Sequence, residues 1–279
     1  MQSWRRMPKG DAVLNVPCRS SQGPVGSVRD LIRSGGVRSV FQPIVSLTDG
    51  TVYGYEVLSR GVEPFESPFS MFSAAEDEGV TWDLERACRL SAMRAVSQLP
   101  RRLRERAFFI NVSPRVLKDP RFKQGFTASQ LRAYGLNQGS FVIEITEHSS
   151  DGDRDGLARM AEHYASQGFR IALDDFGSGD SGLVTLVKCT PHFIKLDMEI
   201  VRGISSSSYR RKLVKALVYF AMGVDARIIA EGVEELEDLR VLLELNVPMA
   251  QGFLFGRPSW DAPLREEETC GLIHALLGF

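Results

Sequence analysis

Carboxylates, an amide and a lysine close a series of short apolar runs along this 279-residue chain. The runs are YGYEVLSR with Glu56, FFINVS with Asn111, FVIEITE with Glu144 and Glu147, and RIALDDFG with Asp174 and Asp175. FIKLD carries Lys195 and Asp197, RIIAEGVE carries Glu231 and Glu234, and MAQGFLFG carries Gln251. Short runs rich in Ile, Val and Phe read as buried parallel strands. A polar residue at the carboxyl end of strand after strand is how an α/β barrel builds an active site. Carboxylates gathered in a low-dielectric cleft repel one another, and Lys195 and Arg60 are too few to balance them. Divalent cations held by oxygen atoms do balance them, so these residue types point to a metal site.

Side-chain parity narrows the chemistry. Residues two apart on a strand share a face, so Lys195 with Asp197, and Glu56 with Leu58 and Arg60, are expected to enter one cavity. Asp174 and Asp175 are adjacent and share a site only where strand gives way to turn. The glycines of FGSG supply that turn. An Asp pair at such a bend can bridge one cation and bind a second, which suits two-metal hydrolysis of a phosphodiester.

The elements that must position these groups follow from hydrophobic period and turn residues. Residues 1–27 are polar and rich in Gly, Ser and Pro, and are expected to form a flexible arm. Ser27 reads as the N-cap of a short helix, SVRDLIRSG. SVFQPIVSL, the turn TDG and VYGYEVLSR read as a hairpin, which makes the first strand antiparallel. A helical pattern runs from Phe72 to Leu99, and strands then alternate with helices. Roughly eight strands favour closure into a TIM-type (β/α)8 barrel over residues 28–279. Net charge is −1, which argues against a general binder of nucleic-acid polymers or membrane surfaces. Cys18, Cys88, Cys189 and Cys270 form no CxxC pair, as expected for free thiols in a reducing cytoplasm. No apolar stretch is long enough to span a bilayer, and the N-terminus lacks the apolar region of a signal peptide. No sensor or cyclase module is visible, so the chain is read as stand-alone or as a fragment.

From FQPIV near Phe41 to QGFLFGRP ending at Pro258, the chain resembles the EAL domain family of cyclic di-GMP phosphodiesterases. The signature glutamate motif stands here as Glu56-Val57-Leu58, and NVS, EITE, DDFG, IKLD, AEGVE and QGFLFGRP follow in the family's order. The resemblance implies two Mg²⁺ or Mn²⁺ ions, hydrolysis of cyclic di-GMP to linear pGpG, and a homodimer; Ca²⁺, with more ligands and longer bonds, is expected to inhibit. The resemblance also implies metal ligation by Glu56, Asn111, Glu144, Asp174, Asp175 and Asp197, with Asp197 and Glu231 close by or acting through water. It assigns catalysis to Lys195, Glu231 and Glu56, with Lys195 also read as a counter-ion for Asp197. Gln42, Leu58, Arg60, Gln251 and Glu234 fall to substrate binding, and Glu147 to bracing the loop after DDFG. Val57 replaces the motif's alanine and is expected to face away from the mouth. The loop Ser178-Gly179-Asp180-Ser181-Gly182 lacks the family's aromatic residue and one serine, and is expected to be mobile. That departure keeps a second reading open, a cyclic di-GMP receptor that has lost turnover.

Other signals carry less. Asp151 to Glu162 fits the spacing of an EF-hand calcium loop but follows a strand instead of a helix. The four histidines lack metal-ligand spacing, and the arginine-rich run Arg101–Arg106 reads as a solvated turn.

Overall fold

The computed structural model describes residues 25–146, 154–178, 182–263 and 266–277. The arm expected over residues 1–27 falls almost wholly outside them, as do Glu147, Asp151, Asp153 and residues 179–181.

Eight strands close into a barrel in sequence order. They are β1 (Arg38–Ser46), β2 (Val52–Arg60), β3 (Ala107–Asn111), β4 (Phe141–Thr146), β5 (Arg170–Phe176), β6 (Phe193–Leu196), β7 (Arg227–Ala230) and β8 (Met249–Gln251). β1 is antiparallel to both β2 and β8, and the remaining pairs are parallel. The TIM-type barrel with a reversed first strand is therefore the fold of this chain.

Helices α1 (Val28–Arg33), α2 (Pro68–Asp77), α3 (Thr81–Gln98), α4 (Arg101–Arg104), α5 (Phe126–Ala133) and α6 (Arg154–Ala165) come first along the chain. α7 (Gly182–Cys189), α8 (Met198–Val201), α9 (Ser208–Gly223), α10 (Leu236–Glu244) and α11 (Glu266–Leu277) complete the set. Ser27 caps α1 by accepting from Asp30 N. The single helix expected from Phe72 to Leu99 is two helices. Gly79, at φ +64°, takes the left-handed conformation that ends α2, and Val80 N turns back to Ala75 O at 2.8 Å. The arginine-rich run is not a solvated turn throughout. Leu103 anchors the one-turn α4 in the core, and Arg106 Nη2 pairs with Glu266 at 2.7 Å. No helix among the described residues is long and apolar enough to cross a membrane.

The barrel interior is layered. Ile44, Phe109, Val142, Ala172, Phe193, Ile229 and Met249 lie in one buried cluster, one from each strand except β2, and Tyr53 of β2 packs against it. This floor excludes water from the base of the mouth. Stepping two residues toward the mouth on each of those seven strands gives Gln42, Asn111, Glu144, Asp174, Lys195, Glu231 and Gln251. The polar layer is thus the next rung of the same barrel.

β2 reaches that layer differently. Ile44 pairs with Gly54 and Val45 with Val52, so Tyr53 is an extra residue, a β-bulge. Regular alternation from Tyr53 would aim Tyr55 inward. The bulge aims Glu56 there, and Tyr55 joins Val57 in the outer core against α3. Gly54 is required at this point, because a Cβ would meet Ala107 O at 2.3 Å.

Candidate active site

Lys195 is the hub. It is buried, and its Nζ lies 2.8 Å from Glu144 Oε1, 2.7 Å from Asp174 Oδ1, 2.8 Å from Glu231 Oε1 and 3.7 Å from Glu56 Oε2. Asn111 Nδ2 donates to Glu56 Oε1 and Glu144 Oε2, each at 3.2 Å. Asp174, Asp175 and Glu231 bring carboxylate oxygens within 4.8 Å of one another. Asp175 has φ +53°, a conformation uncommon for a non-glycine residue, and this bend lets two adjacent aspartates face one place. Gly177 follows at φ +100° and packs on Ile200, where a Cβ would clash.

Four carboxylates around one ammonium leave an excess of negative charge, and the site responds by holding protons. Burial pushes Glu231 up to about 8; Lys195 pulls it down, and Asp174 and Glu56 push it further up. Burial likewise raises Glu144 well above the usual carboxylate range, against the pull of Lys195. Burial alone would lower Lys195, but Asp174, Glu144, Glu231 and Glu56 outweigh it and raise the ammonium well above its usual value. Lys195 is therefore a fixed positive charge at neutral pH.

The donor set fits divalent cations. Glu144 Oε1 and Asp174 Oδ1 are buried and face the Lys195 ammonium at 2.8 and 2.7 Å, with no other hydrogen-bond donor on them among the described residues. Such oxygens are hard ligands of the kind Mg²⁺ and Mn²⁺ take. A flip of the Asn111 amide would exchange its donor for an acceptor and suit that residue to the same cation.

The other expected site residues divide. Asp197 lies past the end of β6, where strand parity no longer holds. Its Oδ1 accepts from Glu199 N at 2.6 Å and caps α8. The expected pairing with Lys195 is not formed, because Glu56, Glu144, Asp174 and Glu231 surround the ammonium instead. Glu234 is exposed and pairs with Arg202 Nη2 at 2.6 Å beside a separate depression. Gln251 and Gln42 are buried and turn toward Glu56. Arg60 donates to Ser59 O at 2.8 Å; burial lowers its pKa and the nearby Glu56 charge opposes that.

A cavity of about 800 Å³ opens from Asn111, Asp174 and Asp175 along Leu58 and Ser59 to α2 and α3. This volume is within the range that holds drug-sized ligands. Its far wall carries residues the sequence reading did not single out. Glu85 and Arg89, on α3, are both buried; Glu85 Oε1 accepts from Ser113 N at 3.1 Å. Burial pushes Glu85 up to about 7 despite Arg89. Phe69 stands on the rim, 84% exposed, and Arg115 pairs with Glu76 across it. An acid and a base four residues apart on a helix usually mark a solvated face. The signal that could have found this pair is the apolar company of Leu84, Cys88 and Ala92 on the same face.

The EAL domain family model matches residues 25–258. The chain belongs to the EAL domain family. It is 31% identical over 245 residues to the probable cyclic di-GMP phosphodiesterase PdeI of Escherichia coli K12, covering 84% of this chain and 31% of PdeI. The chain thus spans about a third of that relative's length. Klebsiella pneumoniae BlrP1 in a calcium and cyclic di-GMP complex superposes with a TM-score of 0.73 at 30% identity, over 85% of this chain and 58% of that one. A manganese complex of BlrP1 gives 0.73 at 31% identity, over 80% and 56%. A standalone EAL protein of Vibrio cholerae bound to cyclic di-GMP gives 0.72 at 29% identity, over 82% and 94%.

Proposed function

We propose that the chain hydrolyses cyclic di-GMP to linear pGpG with two divalent cations, Mg²⁺ or Mn²⁺. The observation that carries this reading is the polar layer itself, with Glu56, Asn111, Glu144, Asp174 and Glu231 gathered round Lys195 above a dry apolar floor. Glu56, Asn111, Glu144 and Asp174 would hold one cation, and Asp174 and Asp175 a second, with Glu231 beside them. When bound, the cations supply Lewis acidity that neutralises phosphate charge and makes water a nucleophile at neutral pH.

The residues of the chain do the rest. Lys195, held charged by its neighbours, donates and does not act as a base. It orients the attacking oxygen and offsets the charge that develops on phosphate. Glu231, raised to about 8 in the metal-free cluster, would give up that proton when the cations bind and could then accept one from the attacking water. Leu58, with Arg60 close to the Glu56 charge, faces the nucleotide, and the cavity toward α2 and α3 takes its bulk.

We place the reaction in the cytoplasm and assign a homodimer. In support of the latter, α7 exposes Leu183, Val184 and Val187 immediately after the DDFG loop. The test is incubation of purified protein with cyclic di-GMP and Mn²⁺, with separation of the nucleotides. Conversion to pGpG is expected. Saturable binding without pGpG would replace this reading with the receptor.

A further inference from the structure

We propose that Gln42 and Gln251 form a clamp that orients Glu56, so that their part in the reaction is to position a metal ligand. This rests on the reading of Glu56 as a metal ligand. Gln251 Nε2 lies 2.6 Å from Glu56 Oε2 and 3.1 Å from Gln42 Oε1. Gln42 Nε2 in turn donates to Gly256 O at 3.4 Å.

The amide orientations are fixed by chemistry. A carboxylate only accepts, so Gln251 must present its nitrogen to Glu56, and Gln42 must present its oxygen to that nitrogen. Glu56 Oε1 is held from the other side by Asn111 Nδ2 at 3.2 Å. Both oxygens of Glu56 are thus steered, one by each neighbour. The two glutamines are buried, at 9% and 3% exposure, and neither lines the 800 Å³ cavity.

The reversed first strand makes the clamp possible. Gln42 stands opposite Glu56 across the β1–β2 seam, and Ile44 stands opposite Gln251 across the β1–β8 seam. Gln42 therefore meets Gln251 from the β1 side while Gln251 bonds Glu56 directly. Groups that orient a metal ligand typically change metal affinity by about 10–100-fold when lost.

The test measures Mn²⁺ binding to the nucleotide-free protein by calorimetric titration, with turnover read separately. Gln42→Leu is expected to weaken Mn²⁺ binding by about tenfold or more. Gln251→Leu should do the same, and the double variant should be no weaker than the poorer single one, because both act through Glu56. Gln42→Met serves where the leucine variant does not fold, and the melting temperature of each metal-free variant checks folding. Unchanged Mn²⁺ affinity in the folded variants overturns the clamp, as does unchanged affinity with a raised KM for cyclic di-GMP, which would make both residues nucleotide contacts. Absence of saturable Mn²⁺ binding to the wild-type protein would instead refute the metal reading beneath it.

Discussion

Lys195→Met should turn the metal-free protein into one whose stability collapses as pH rises. Methionine keeps much of the stem's volume, so the loss is mainly of charge. The ammonium contacts Glu144, Asp174 and Glu231 at 2.7–2.8 Å and Glu56 at 3.7 Å, all in buried or nearly buried surroundings. Removing one partner of a buried ion pair costs about 3–5 kcal/mol. The acids can escape part of that cost by taking protons, which Glu231 and Glu144 already favour. Without Lys195 their folded-state pKa values rise further. A carboxyl whose folded pKa lies above its unfolded value is harmless below the unfolded value and weakens the fold increasingly as pH rises toward the folded one. Glu231 already keeps its proton up to about pH 8 in the wild-type fold, so the cost of the substitution should be small near about pH 6 and build as pH rises past about 8 toward about 9.5. At about 2–4 °C per kcal/mol for a domain near this size, the melting temperature should fall by about 10 °C at the higher pH. Saturating Mn²⁺ should restore most of it, since a cation then replaces the missing charge. Thermal melts at both pH values, with and without Mn²⁺, decide the matter. A loss of equal size at both pH values, or none at the higher one, would refute the account of Lys195 as the counter-charge of the cluster.

Three more outcomes follow from the same cluster. Glu56→Ala should lower turnover by more than about a hundredfold, since it removes a ligand and leaves Asn111 and Gln251 without the carboxylate they hold; near-normal activity at limiting Mg²⁺ would remove Glu56 from the site. Mn²⁺ affinity should rise with pH up to about 8, by as much as about tenfold per pH unit for each proton displaced, because Glu231 and Glu144 must give up protons to bind it; calorimetry in buffers of different ionisation enthalpy would count those protons, and a pH-independent affinity would contradict their assignment. Ca²⁺ should support nucleotide binding and suppress hydrolysis, because its longer bonds and higher coordination number loosen the in-line geometry; activation by Ca²⁺ alone would be the opposing result.

Much of the site was legible because parallel strands impose a simple rule. Apolar runs ending in an acid, an amide or a lysine gave Asn111, Glu144, Asp174, Lys195 and Glu231 their places, and the structure puts them one rung above the floor formed by Phe109, Val142, Ala172, Phe193 and Ile229. The rule fails where the strand does. Parity was expected to aim Asp197 with Lys195, but β6 ends at Leu196 and Asp197 caps a helix. Glu56 faces the mouth through a bulge at Tyr53 that only the pairing with β1 reveals. Gly79 breaks what periodicity alone reads as one helix, since a glycine within a helical pattern is as compatible with a weak point as with an end. The buried pair of Glu85 and Arg89 has the spacing of a surface ion pair, and in the sequence only the apolar company of Leu84, Cys88 and Ala92 hints that it faces inward.

The reversed first strand also decides where the chain enters the fold. Arg38, the first residue of β1, lies opposite Arg60, at the same end as the carboxylates. In an all-parallel barrel the first strand would begin at the far end. Here α1 arrives at the substrate side, and its opening N–H groups, Val28 and Arg29, bind the Glu78 carboxylate at 2.7 and 3.2 Å. Glu78 terminates α2, the helix that forms the outer wall of the cavity. Through Val28, Arg29 and Glu78 the leading helix of the barrel is thus tied directly to the outer wall of the cavity.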